Sequence, residues 1–129
     1  MILFPKGLQD ILIEKSENSR HEVGFIILGE IQENIAVTQI IPITNKSPSY
    51  DSFIPYELEL SIIRLYCQEE HYNIIGFFHS HSSTAAPSKI DEKYMKELKN
   101  IWFIYSKLNK NMFAFKYENE LESIQIDII

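Results

Sequence analysis

The stretch "GFFHSHSSTAAPSKID", Gly76 to Asp91, decides how this chain is read. It leaves an apolar run, "NIIGFF", of the length and composition of a buried strand, passes two histidines and a polar segment, and enters a helix at "PSKID". Side chains alternate between the faces of a strand, so His79 and His81, two apart, project to the same side. Ser88 stands at the N-cap position of the next helix, and Asp91, three residues on, puts a carboxylate in its first turn, close to where the strand ended. Zinc accepts imidazole nitrogen and carboxylate oxygen, and a catalytic site typically supplies three protein ligands and leaves the fourth position to water. Taken singly, His-x-His is a solvated pair and Ser-x-x-Asp a helix cap. Together, at the exit of a wholly apolar strand, they form an economical metal site of His79, His81 and Asp91.

The elements on either side of this stretch form alternating helices and strands. After Pro5, Leu8, Ile11 and Leu12 repeat at helical spacing, and "KSENSR" closes a first helix. "EVGFIILG" from Glu22 and "NIAVTQIIPI" from Asn34 are rich in β-branched and aromatic residues and read as an antiparallel pair; the first is apolar on both faces and is expected to be central. "TNKSPSYDS" is a loop, which could cover a bound chain through Tyr50, Asp51 and Ser52 or simply lie on the surface. A second helix follows, with Pro55 at its start and an apolar stripe of Leu58, Ile62, Leu65 and Tyr66. A third, after the quoted loop, places Tyr94, Met95 and Leu98 on one side. The tail reads as "IWFIYSKL" and "MFAFKYEN", joined by Asn109-Lys110-Asn111, then "SIQIDII" as an edge strand. The order α-β-β-α-β-α-β-β-β predicts a mixed sheet with helices packed on it.

At 129 residues, 45% hydrophobic and 23% charged, the chain fits one globular domain over residues 1–129. A net charge of -6 without a basic patch argues against nucleic acid as the main partner, since phosphate binding needs clustered cations; a protein or peptide partner fits better. The single Cys67 reads as a small core residue in a reducing compartment. "MILFPKGLQD", an apolar run broken at Pro5 without a basic leader, reads as neither a signal peptide nor a spanning helix, so a cytoplasmic protein with no membrane partner is expected. His21 and His71 read as surface residues, and Trp102 and Phe103 as core.

Hydrolysis also needs a base, and Glu22 is the candidate because a charge at the opening of a buried strand is costly unless it has a task or sits in solvent. Glu22, His79, His81, Ser88 and Asp91 as a set, with the first-strand "EVGFIILG" and the "PS" at Pro87-Ser88, resemble the JAMM or MPN-type (Mov34/PAD-1-like) metalloprotease family, and the order of elements is similar over nearly the whole chain. The resemblance implies an α/β (α+β) fold: a mixed, mostly antiparallel central sheet flanked by helices, with layering broadly like that of zinc deaminases. It further implies that His79, His81 and Asp91 bind zinc, that Glu22 is the general acid/base, and that Ser88 donates to the tetrahedral oxyanion while capping its helix. The substrate class it implies is a ubiquitin-like protein or its conjugate, cleaved at the amide after the C-terminal tail, with other components of a ubiquitin-like conjugation pathway as further partners.

Three features depart from the family pattern. Six residues, "SSTAAP", separate His81 from Ser88 where seven are usual, and Ser82 stands where Pro is usual; the first-strand glycine, Gly24, also comes one place early. A one-residue deletion is cheap in closure entropy, so the metal site is expected to survive while the substrate path around the loop differs. A second reading is a catalytically silent MPN-type scaffold that binds a protein partner. A deaminase would need a Cys-x-x-Cys that one cysteine cannot supply.

Overall fold

A computed structural model gives the fold and describes residues 1–98 and 100–129. Along the chain run β1 (Ile2–Phe4), α1 (Lys6–Glu17), β2 (Gly24–Ile31), β3 (Ile35–Ile43), α2 (Glu57–Glu69), β4 (Asn73–His81), α3 (Lys89–Leu98), β5 (Ile101–Ser106), β6 (Asn111–Tyr117), β7 (Leu121–Ile124) and β8 (Ile126–Ile128). The strands form one mixed sheet in the order β7-β6-β5-β4-β2-β3-β1-β8. Pairs β2/β3, β2/β4, β5/β6 and β6/β7 are antiparallel; β1/β3, β1/β8 and β4/β5 are parallel. The α+β class and the mostly antiparallel sheet agree with the sequence reading, and β2 is central, between β4 and β3.

Alternation along β2 and β4 sorts the core into two layers. Phe25, Ile27 and Phe78 face one side, where Leu12 of α1 packs with Phe103 and Tyr105. Ile26, Leu28 and Phe77 face the other, against Leu60 and Cys67 of α2. His79 and His81 share the parity of Phe77 and so belong to the α2 side. Cys67 is free and buried, and burial pushes its thiol up, which suits an inert core residue.

Three expectations need correction. The stripe Leu58, Ile62, Leu65 and Tyr66 is not the packed face of α2: Leu58 is 73% and Ile62 59% exposed, whereas Leu60, Ile63 and Cys67 meet the sheet. Apolar residues lie on both sides of this helix, so periodicity leaves its rotation undetermined; it starts at Glu57, two residues beyond Pro55. On α3 it is Met95 that is buried, and Tyr94 and Leu98 are half open. Finally, "SIQIDII" is not one edge strand. β7 pairs with β6 and β8 pairs with β1, on opposite edges of the sheet, with only Gln125 between them. Neighbouring residues lie about 3.8 Å apart, so the two ends of the sheet meet at Gln125 and the sheet curls around its α1 side. β1 itself, three residues long, carries no periodic signal in the sequence.

Gly76 of β4 faces Ile101 of β5, and a Cβ there would run into the Ile101 backbone carbonyl. Gly76→Ala must therefore push two central strands apart. We expect a loss of about 1–3 kcal/mol, as for other overpacked interiors, read as a lower midpoint in urea with unchanged slope.

Candidate metal centre

The site lies where the ends of β2 and β4 meet. Gly24 pairs with His79, and the ladder continues one residue further: Ser80 N–H donates to Val23 O, and Val23 N–H donates to Ser80 Oγ, each at 3.0 Å. This fixes Glu22, the next residue out, beside the two histidines although 57 residues separate it from His79. Glu22 is only 5% exposed, so its charge is not a solvated strand end. Its Oε1 lies 3.1 Å from His79 Nδ1.

His79 and His81 are both buried and their rings meet edge to face, with centroids 4.6 Å apart. The carbonyl of Thr84 accepts from His81 Nδ1 at 3.1 Å, which orients that ring so that Nε2 points into the site. Ser106 Oγ in turn donates to Ser83 O at 2.5 Å, tying the short loop to β5. The six-residue segment thus closes on itself and still delivers α3 to the histidines. There Ser88 and Asp91 form a reciprocal cap: Asp91 N–H donates to Ser88 Oγ at 3.1 Å and Ser88 N–H donates to Asp91 Oδ2 at 2.8 Å. The cap holds the Asp91 carboxylate 3.2 Å from His79 Nε2 and 3.1 Å from His81 Nε2. Ser88 is exposed, and with its lone pair engaged by Asp91 N–H its hydroxyl proton is free to donate outward.

Burial opposes a charge on His79, but the carboxylates of Asp91 and Glu22 win and raise its pKa to about 9. Burial likewise works against the Asp91 anion, and the two imidazoles override it, holding the carboxyl well below the usual range. His79 Nε2 is nonetheless a buried nitrogen without an aligned hydrogen bond. Converging donors that do not satisfy one another suit a cation between them. Donors about 2.0–2.1 Å from a tetrahedral zinc lie about 3.3 Å from each other, and the imidazole to carboxylate separations match that spacing. One ligand atom from each of Glu22, His79 and His81 also falls within 4.8 Å of the others, so this buried group could bind a metal. Both carboxylates therefore border the histidine pair; Asp91 approaches the Nε2 atoms of both rings, and Glu22 approaches one ring from its Nδ1 side.

The family model for prokaryotic homologs of the JAB domain, Prok-JAB, matches residues 5–118. The chain belongs to the Prok-JAB family. The JAMM/MPN-type resemblance carried by the five motif residues is thus borne out at the level of family. The solution structure of protein DSY2949 from Desulfitobacterium hafniense is similar over 100% of this chain and 93% of that one, with a TM-score of 0.81 at 20% identity, a likeness of fold. No curated protein matches the sequence. JAB domains include metalloproteases, and the buried carboxylate-histidine group is one that could bind a metal. Among the described residues no helix is long and apolar enough to cross a membrane.

Two contributors escaped the sequence reading. Asn45, in the predicted loop, donates from Nδ2 to Glu22 O at 2.9 Å and to Ser52 O at 3.0 Å, while its Oδ1 accepts from Ser47 N–H and Ile54 N–H. It joins the backbone of Glu22 to the 47–54 segment. From that segment Phe53 covers Gly24, whose missing Cβ gives the ring its place, and comes within 6.1 Å of the His79 ring. The bond to Ser47 N–H is a local turn, but those to Glu22, Ser52 and Ile54 reach farther along the chain and have no local sequence signature beyond the loop preference of Asn. His21 is exposed and meets Tyr50 edge to face, and His71 is exposed, so neither joins the site.

Proposed function

We propose that the protein is a zinc-dependent peptidase or isopeptidase, with His79, His81 and Asp91 as ligands, that hydrolyses the amide after the C-terminal tail of a ubiquitin-like protein or its conjugate. The observation that carries this reading is the approach of Asp91 to both Nε2 atoms beside a buried, unsolvated Glu22. Zinc held there would polarise the scissile carbonyl and lower the pKa of a water. Glu22 would hold the proton of the attacking water and hand it to the leaving amine, a task for a buried carboxylate whose backbone is held at both its carbonyl and its next amide. Ser88 donates its free hydroxyl proton to the oxyanion of the tetrahedral intermediate. His79 and His81 are kept in register by Glu22 and by the Thr84 carbonyl. An extended tail suits such a site because its backbone adds alongside strand ends. The reading includes a cytoplasmic setting, supported by the single free cysteine, and partners from a ubiquitin-like conjugation pathway, with no role for nucleic acid or a membrane.

The test joins metal and activity. Purified protein should take up one zinc per chain, measured by metal analysis after dialysis, and should cleave at least one of a panel of ubiquitin-like fusions in a chelator-sensitive way. One zinc bound with no cleavage of any fusion would leave the silent scaffold as the better account.

A further inference from the structure

A cavity of about 220 Å³ opens beside the histidine pair, between the sheet, α2 and α3. Its walls are apolar: Leu60 of α2, Phe77 of β4, Trp102 of β5, and Ile90 and Leu98 of α3, with Phe53 closing one side. His79 and Asp91 belong to its lining, so it is continuous with the candidate metal centre. An apolar cavity of about 150 Å³ admits a benzene ring. This one therefore holds one phenylalanine or leucine side chain and little more. A glycine-rich tail passing the metal would leave it empty, and an empty apolar cavity this close to the surface gains nothing for stability.

We propose that this cavity is a specificity pocket for one large apolar side chain next to the bond cleaved, so that the substrate is an extended peptide with a Phe- or Leu-sized residue flanking the scissile amide. This rests on the peptidase reading. It also accounts for the side chains at the cavity that are not apolar. Glu57, Arg64 and Glu97 are exposed and carry their charges in water, leaving the apolar walls free to take an uncharged side chain.

The chain has a single tryptophan, and it lines the pocket, so its fluorescence reports occupancy directly. The zinc-loaded protein is titrated with N-acetyl-phenylalanine amide, N-acetyl-leucine amide and N-acetyl-glycine amide. The phenylalanine and leucine amides should shift the Trp102 emission and saturate at least about tenfold below the glycine amide, the discrimination expected of an apolar pocket. Leu60→Phe, which fills the cavity, should weaken the phenylalanine amide about tenfold or more; if circular dichroism shows that this variant is unfolded, Leu98→Phe at the half-open wall takes its place. In parallel, a fusion series with Gly, Ala, Leu or Phe on either side of the scissile bond should show kcat/KM highest for Leu or Phe at one of the two positions. Equal binding of the three amides, or cleavage that favours glycine at both positions, overturns the pocket while leaving the peptidase reading intact. Selective binding of the phenylalanine amide with no cleavage of any fusion keeps the pocket and removes the peptidase reading.

Discussion

Glu22→Gln is expected to lower kcat about 10²–10⁴-fold while leaving the fold and the metal in place. The substitution preserves volume and leaves an amide oxygen that still accepts from His79 Nδ1, so the 3.1 Å contact survives. The backbone anchors of this residue, from Asn45 Nδ2 to its carbonyl and from Val23 N–H to Ser80 Oγ, do not involve the carboxylate at all. What disappears is the capacity to accept a proton. The same variant separates the proton-transfer role from two others that the geometry allows. Glu22 belongs to a group of three potential ligands within 4.8 Å, and it also orients His79. A carboxylate that orients a metal-bound histidine typically contributes 10–100-fold to metal affinity, and a direct ligand contributes more. Zinc affinity measured by chelator competition should therefore change little in Glu22→Gln if Glu22 is the base. A loss of zinc affinity large enough to account for the loss of turnover would move Glu22 into the ligand set, and unchanged turnover would remove it from the mechanism.

Much of the candidate site is legible in the sequence because its parts are written in local grammar. His79 and His81 follow from strand alternation alone, and the reciprocal Ser88 and Asp91 bonds follow from capping arithmetic. Glu22 was a matter of position only; what brings it in is the β2/β4 pairing, a tertiary fact. The same distinction runs through the fold. β2, β3 and β4 are long enough for their composition to show, whereas β1 and β8 are three residues each and exist because Ile2 finds Ile126 across the whole length of the chain. Periodicity alone does not give the rotation of α2, because Leu58 and Ile62 are as apolar as Leu60 and Ile63, and only the packed sheet chooses between them. Phe53 over Gly24, the Thr84 carbonyl on His81 and the walls around Trp102 are likewise products of packing, visible only once the strands are paired.

Raising the pH is expected to act in opposite directions on the stability of the metal-free protein, which falls, and on the increment that zinc adds to it, which grows. In the metal-free state His79 is raised from 6.5 to about 9, against the effect of its burial, by the Asp91 and Glu22 carboxylates. A group whose folded pKa is raised contributes stability that is complete below its unfolded value and is lost as pH climbs through the folded one. The window is therefore about pH 6.5 to 9, and the loss across it is on the order of 3 kcal/mol. Asp91 is depressed by the same contacts, so its shift is the other side of one interaction and adds nothing in this window, where it is ionised in both states. Zinc requires the imidazole nitrogen that the proton occupies, so binding releases that proton and tightens about tenfold per pH unit below 9. In excess chelator, Tm should fall steadily from pH 6.5 to 8.5. With zinc in excess, the stabilisation over the metal-free protein should grow across the same range, since it scales with the logarithm of affinity. Competition titrations at pH 6.5, 7.5 and 8.5 supply the affinities independently. A zinc affinity flat over that range, or a metal-free Tm that rises with pH, would mean that His79 does not hold the proton that the metal must displace, and the carboxylate-bridged histidine pair would lose its place at the centre of this site.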